Sequence, residues 1–216
     1  ANATPAWVSI YNRTHDFGAA RRLDRLALPA DVLALRLSAR PAADGALSGA
    51  AGALKVRDAA GGVAATCRAD AWCNQTFEKP AKGGWGLAFD PGQGALVVTL
   101  EIAMAPYAKP PDAMDVYAGA RSTDDTDVEG FVLLPGYDGL AYSFEASSPL
   151  GTGLVTGAGA RLALRDPSGS STTICDFTLQ ERCEGDLDVA PAQAGAWTLS
   201  FTGATGFGVM GVIVAN

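Results

Sequence analysis

The stretch LKVRDAAGGVAATC, Leu54 to Cys67, returns 108 positions later as LALRDPSGSSTTIC, Leu162 to Cys175, without a gap. Each copy runs on to a second cysteine and then to a Pro-containing segment with Gly followed by Trp, at Trp85 and at Trp197. The match extends upstream: LALRLSA (Leu33 to Ala39) lies over LAYSFEA (Leu140 to Ala146), and the LALP ending at Pro29 over the VLLP ending at Pro135. An offset held between 106 and 112 residues across whole halves is the signature of an internal duplication. Two domains are expected, 1–107 and 108–216, joined in AMAPYAKPPDAM, where Pro106, Pro110 and Pro111 make a short stiff linker.

Within each half the apolar residues recur with period two, as in Leu33, Leu35, Leu37, then Trp85, Leu87, Phe89, then Leu96, Val98, Leu100. That is strand periodicity, because successive side chains of a strand point to opposite faces. Copy two repeats it at Leu140, Tyr142, Phe144 and at Trp197, Leu199, Phe201, with Gly and Pro clusters between. Short strands separated by such turns give an all-β chain of two tandem antiparallel β-sandwich, jelly-roll-like domains. AARRLDRLAL, Arg-rich with Leu23, Leu26 and Leu28 apolar, could be helical, but its partner in copy two, DVEGFVLL, reads as strand, so a strand is expected in both.

The four cysteines form two close pairs, Cys67 with Cys73 and Cys175 with Cys183, at matching places in the halves. A zinc site would use similar residues, but the only histidine, His15, is far from both pairs in sequence. Two local disulfides are expected, and with them oxidising surroundings. Three of the four asparagines, Asn2, Asn12 and Asn74, open N-x-Thr sequons, the pattern of a secreted glycoprotein with sugars at its surface. The start, ANATPAW, is read as that of a chain whose leader has been removed.

Arg165 and Asp166 ending a strand, the Pro-Ser-Gly turn, the later Ala-Pro, Gly195 and Trp197-Thr198-Leu199 together resemble the bacterial pre-peptidase C-terminal domain, and more distantly the P domain of proprotein convertases. Copy one keeps the frame at Arg57, Asp58, Gly61, Gly83, Gly84 and Trp85, departing at Ala59 where copy two has Pro167. The resemblance implies a jelly-roll-like sandwich that accompanies secreted enzymes, aids secretion or binds matrix; it implies no activity.

Catalysis is not expected. One histidine removes most nucleophile-base arrangements, and His15, between Thr14 and Asp16, reads as a solvated turn residue. The glycine-rich GTGLVTGAGAR lacks the Lys-Ser/Thr that would hold a nucleotide's phosphates and magnesium, and no carboxylate pair recurs in both copies beside an aromatic groove. No cofactor is required on this reading. The acidic run from Ser122 to Gly130 could hold calcium through Asp124, Asp125, Asp127 and Glu129, since that ion accepts six to eight oxygens in loose geometry. The matching stretch of copy one, Thr14 to Arg22, has Asp16 as its one carboxylate and could not do so, and a solvated acidic loop is the alternative.

Residues 1 to 107 carry 11 Lys and Arg against 9 Asp and Glu, and residues 108 to 216 carry 5 against 14. The halves are therefore +2 and −9, which favours head-to-tail contact between molecules and gives neither half the basic surface that nucleic acid requires. Both ends are strand-like. FGVMGVIVAN is expected in its own sheet and AWVSIY in a neighbour's, by strand addition. Two roles follow: a self-associating structural subunit of an extracellular filament or surface assembly, or a module binding extracellular glycan or matrix through exposed aromatics, for which Trp72, Tyr107, Tyr117 and Tyr137 are the candidates. A secreted hydrolase accessory domain is third.

Overall fold

A computed structural model describes residues 6–43, 45–104, 113–122, 125–147, 160–178, 180–203 and 207–216. The chain separates into two compact units, Ala1–Pro111 and Asp112–Asn216.

Unit 1 has eight strands, β1 (Trp7–Asp16), β2 (Arg22–Leu28), β3 (Val32–Pro41), β4 (Ala53–Arg57), β5 (Val63–Arg68), β6 (Cys73–Glu78), β7 (Gly83–Asp90) and β8 (Ala95–Met104). Their order is β1-β8-β3-β6 in one sheet and β2-β7-β4-β5 in the other, all pairs antiparallel. Unit 2 has β9 (Met114–Ser122), β10 (Val128–Leu133), β11 (Gly139–Ser147), β12 (Arg161–Arg165), β13 (Ser171–Asp176), β14 (Arg182–Asp188), β15 (Gly195–Thr202) and β16 (Gly208–Ala215). These repeat the same order, β9-β16-β11-β14 and β10-β15-β12-β13. Eight strands wound in this order form a jelly roll. The Arg-rich segment is strand β2, as its partner β10 requires.

Alternation selects the core. Along β8, Leu96, Val98, Leu100 and Ile102 are fully buried, while Val97, Thr99 and Glu101 between them stay partly open. Each buried leucine or isoleucine contributes about 1.5–3 kcal/mol relative to exposure. Trp85 and Trp197 sit at equivalent core positions, and each donates its indole N–H to the carbonyl four residues earlier, Ala81 and Gln193, at 2.9 Å. That bond satisfies the one polar atom of a large buried ring. The Arg-Asp turns also correspond: Asp58 accepts the N–H of Gly62 and Asp166 that of Ser170, both at 2.9 Å, while Gly61 and Gly169 take the positive φ of the turn, 82° and 94°.

The disulfides join the two sheets of each unit at one edge. Cys67 on β5 pairs with Cys73 on β6, and Cys175 on β13 with Cys183 on β14, with Cα separations of 5.5 and 5.7 Å. Closing loops this short stabilises by about 2–3 kcal/mol each on the chain-entropy account.

Trp7–Asp16 pairs with β8 inside its own unit, so the N-terminal strand is not left for a neighbour; β16 at the other end lies between β9 and β11, as expected. His15 is on β1 opposite Leu96, half-buried, with its ring 4.4 Å from that of Phe89 and 4.9 Å from that of Phe17. It is a packing residue because strand β1 continues through it where the sequence reads as a turn. Beside it the buried carboxylate of Asp24 accepts from the Tyr11 hydroxyl at 2.7 Å and from Arg22 Nε at 2.8 Å, tying β1 to β2 across the sandwich. Burial and the adjacent Asp24 hold the Tyr11 hydroxyl far above its ordinary value.

Burial, and next the Arg22 guanidinium, lower the His15 pKa from its ordinary 6.5. Protonation is therefore disfavoured in the folded chain, and the stability present above pH 6.5 is lost as pH falls through the lowered value. The urea midpoint should fall between pH 7 and pH 5, and His15→Leu should flatten that slope; an unchanged slope would assign the effect elsewhere. In unit 2, Gly211 faces Phe144 across β11 and β16, and a Cβ there would overlap the ring. Gly211→Ala should cost about 1–3 kcal/mol of overpacking in urea unfolding; wild-type stability would show that the ring moves aside freely.

Candidate functional site

With the inner faces filled, the chemistry that differs between the units lies on their outer faces. On the β1-β8-β3-β6 face of unit 1, one cross-strand row reads Asn12, Thr99, Ser38, Asn74. Both asparagines are exposed, on the two edge strands, and their sequon threonines Thr14 and Thr76 share the face because they are two residues on. Three strand spacings separate them, about 14 Å. At one end of this face Trp7, 37% exposed, lies under the Arg36 guanidinium at 4.3 Å, and Arg36 pairs with Glu101 at 2.6 Å.

The equivalent face of unit 2, β9-β16-β11-β14, has no sequon. Its rows read Ala118, Val212, Ser143, Glu184 and Ala120, Met210, Glu145, Arg182. Met210 and Val212, in the interior strand β16, are 58% and 40% exposed, and Ala118 and Ala120 beside them are too short to cover them. Towards β14 the face turns acidic, with Glu184, Asp186 and Asp188 exposed. A shallow depression of about 480 Å³ lies where the apolar and acidic parts meet, lined by Val212, Val214, Ala141, Ser143, Glu184 and Asp186 among others.

The outer face of β2-β7-β4-β5 in unit 1 is basic. Lys55 and Arg57 on β4 lie beside Thr66 and Val63 on β5, Arg68 follows opposite Ala53, and Arg21 borders β7. Asp90 is held between Arg21 at 3.5 Å and Lys55 at 2.7 Å.

Of the aromatic candidates among the described residues, two are buried and one is open. Trp72 is 70% exposed in the loop closed by Cys67 and Cys73, next to the paired Arg68 and Asp70. Tyr117 is buried: alternation turns it inward on β9, 6.2 Å from the Phe144 ring, and its hydroxyl donates to Glu129 at 2.6 Å. Tyr137 is buried at the entry to β11, and Tyr107 lies outside the described residues. Trp7, which is not among the four candidates, stands outside because β1 bulges between Ser9 and Tyr11.

The acidic run does not assemble a cation cage among the described residues. Glu129 is on β10 and accepts the Tyr117 hydroxyl, Asp125 accepts the N–H of Asp127 at 2.9 Å, and Arg121 donates to the carbonyls of Asp125 and Asp127 at 3.0 and 2.7 Å. Arg121 thus supplies positive charge at this loop. Asp124 and Asn2 lie outside the described residues.

No protein-family model matches the chain, and no curated protein matches it. Among solved structures it is similar to the N-terminal CBM22-1–CBM22-2 tandem domain of Xyn10C from Paenibacillus barcinonensis, at 10% identity and TM-score 0.26, over 100% of each chain. It is similar to the PBSX exported protein XepA at 10% identity and TM-score 0.29, over 97% of this chain and 86% of that one. A third is the triple jelly roll of an archaeal virus turret, at 9% identity and TM-score 0.27, over 100% of this chain and 60% of that one. Scores this low assign neither family nor activity, and the chain's own strand order carries the fold.

Proposed function

We propose that this chain is a secreted, non-enzymatic structural subunit of an extracellular filament or surface assembly, related to the pre-peptidase C-terminal-like sandwiches. One observation carries the reading: the exposed apolar stripe of Met210 and Val212 in the interior of a sheet face that has no sequon. Contiguous apolar surface in water is costly and marks a contact site when its rim is polar, as the acidic β14 makes it here. The matching face of unit 1 carries Asn12 and Asn74 in one row, so sugars attached there keep that face open to solvent. Two disulfides fit the oxidising surroundings of such an assembly.

A second reading, binding of glycan or matrix, is favoured by Trp72, which stands open on a loop made rigid by its disulfide. It requires loss of glycan-array binding in Trp72→Ala.

Sedimentation velocity from dilute to concentrated protein at physiological ionic strength tests the assembly reading. Concentration-dependent growth of species is expected, and a monomer throughout would overturn it. Intact mass of the secreted chain should drop by one sugar each in Asn12→Gln and Asn74→Gln; unchanged masses would leave that face without glycans.

A further inference from the structure

Resting on that reading, we infer that the β9-β16-β11-β14 face of unit 2 docks on the β2-β7-β4-β5 face of unit 1 in a second copy of this chain. Charge complementarity selects the occupant. The unit 2 face divides into an apolar part, Ala118, Ala120, Met210 and Val212, and an acidic edge, Glu184, Asp186 and Asp188. Its single cation, Arg182, is engaged with Glu145 at 3.1 Å.

The basic face of unit 1 divides the same way. β7 contributes the open Gly84 and the part-open Gly86, with Leu23 of β2 beside Gly86, and the β4-β5 edge contributes Lys55, which shares Asp90 with Arg21, then Arg57, and Arg68, which pairs with Asp70, around the exposed Val63. Laid face to face, small apolar surface meets the Met210–Val212 stripe while the cationic edge meets the acidic one. The other outer face of unit 1 is excluded as the occupant because its central row begins and ends on sequon asparagines.

Size is adequate as well. Four strands at about 4.8 Å spacing and about eight residues at about 3.3 Å rise span about 19 Å by about 26 Å. That is a footprint of about 500 Å² on each partner, about 1,000 Å² in total, at the lower bound for a specific interface. The contact joins different surfaces, so each bound copy leaves one free face of each kind and growth continues, as a filament if the rotation does not close.

The test is a charge exchange in the full-length chain, followed by sedimentation at low and physiological salt. Lys55→Glu with Arg68→Glu, and separately Glu184→Lys with Asp186→Lys, should each weaken self-association by about a hundredfold or more, because like charges then face each other. Mixing the two variants should restore it, through the one interface in which the exchanged charges meet. Met210→Glu should weaken association with the charges intact. All five positions are on outer faces, and thermal melts matching wild type confirm folding. Wild type that assembles together with variants that assemble equally well, or a mixture that fails to recover, would overturn this contact while leaving the assembly reading in place. Wild type that never assembles would overturn the assembly reading, and the contact with it.

Discussion

Each strand of both units must hide one of its two faces, and this burial of alternate side chains is the constraint on which the rest of the molecule depends. Leu37, Leu54, Leu100, Leu140, Leu162 and Ile213 are all fully buried, and each sits one residue from a position that remains at least partly open. The inner set is committed to packing, and the outer set is where the two units present different chemistry. There unit 1 shows sequons on one face and cations on the other, while unit 2 shows methionine and valine edged by carboxylates.

Polar links across each sandwich show how the shared frame tolerates change. Tyr11 donates to Asp24 in unit 1 and Tyr117 to Glu129 in unit 2, from equivalent strands. The residue at the end of the first strand differs: the imidazole of His15 lies against Phe89, and the Arg121 guanidinium lies over Phe201 at 5.0 Å. Arg121 is long enough to reach the carbonyls of the following loop, and it draws the acidic run toward the protein's own guanidinium. The disulfides fasten the sheets in each unit at the same edge, where strand pairing offers nothing between sheets.

The repeat, the strand alternation and the cysteine pairing were legible because each leaves a periodic mark in the chain. Features set by a single residue's geometry were not. A bulge between Ser9 and Tyr11 buries both Ile10 and Tyr11, and so leaves Trp7 outside. No local pattern announces that extra residue. Tyr117 and Tyr137 looked like surface candidates because tyrosine suits either environment; strand register and chain entry placed them inside. His15 follows Thr14 in a polar stretch that reads as a loop, yet its ring packs on Phe17 and Phe89 once β1 pairs along its whole length with β8. The contrast between outer faces needed register as well, because Asn12 and Asn74 are 62 positions apart and share a row only through Thr99 and Ser38.

Assembly through this contact covers the outer face of β16 with a neighbouring molecule in the native material. Met210 reports on this directly, since an exposed thioether is oxidised to the sulfoxide and a covered one is shielded. Oxidation by dilute peroxide, read residue by residue by mass spectrometry, compares native secreted material with the same protein diluted to monomer. Strong protection of Met210 in the native material, lost on dilution, is the expected result; equal oxidation in both would contradict the account.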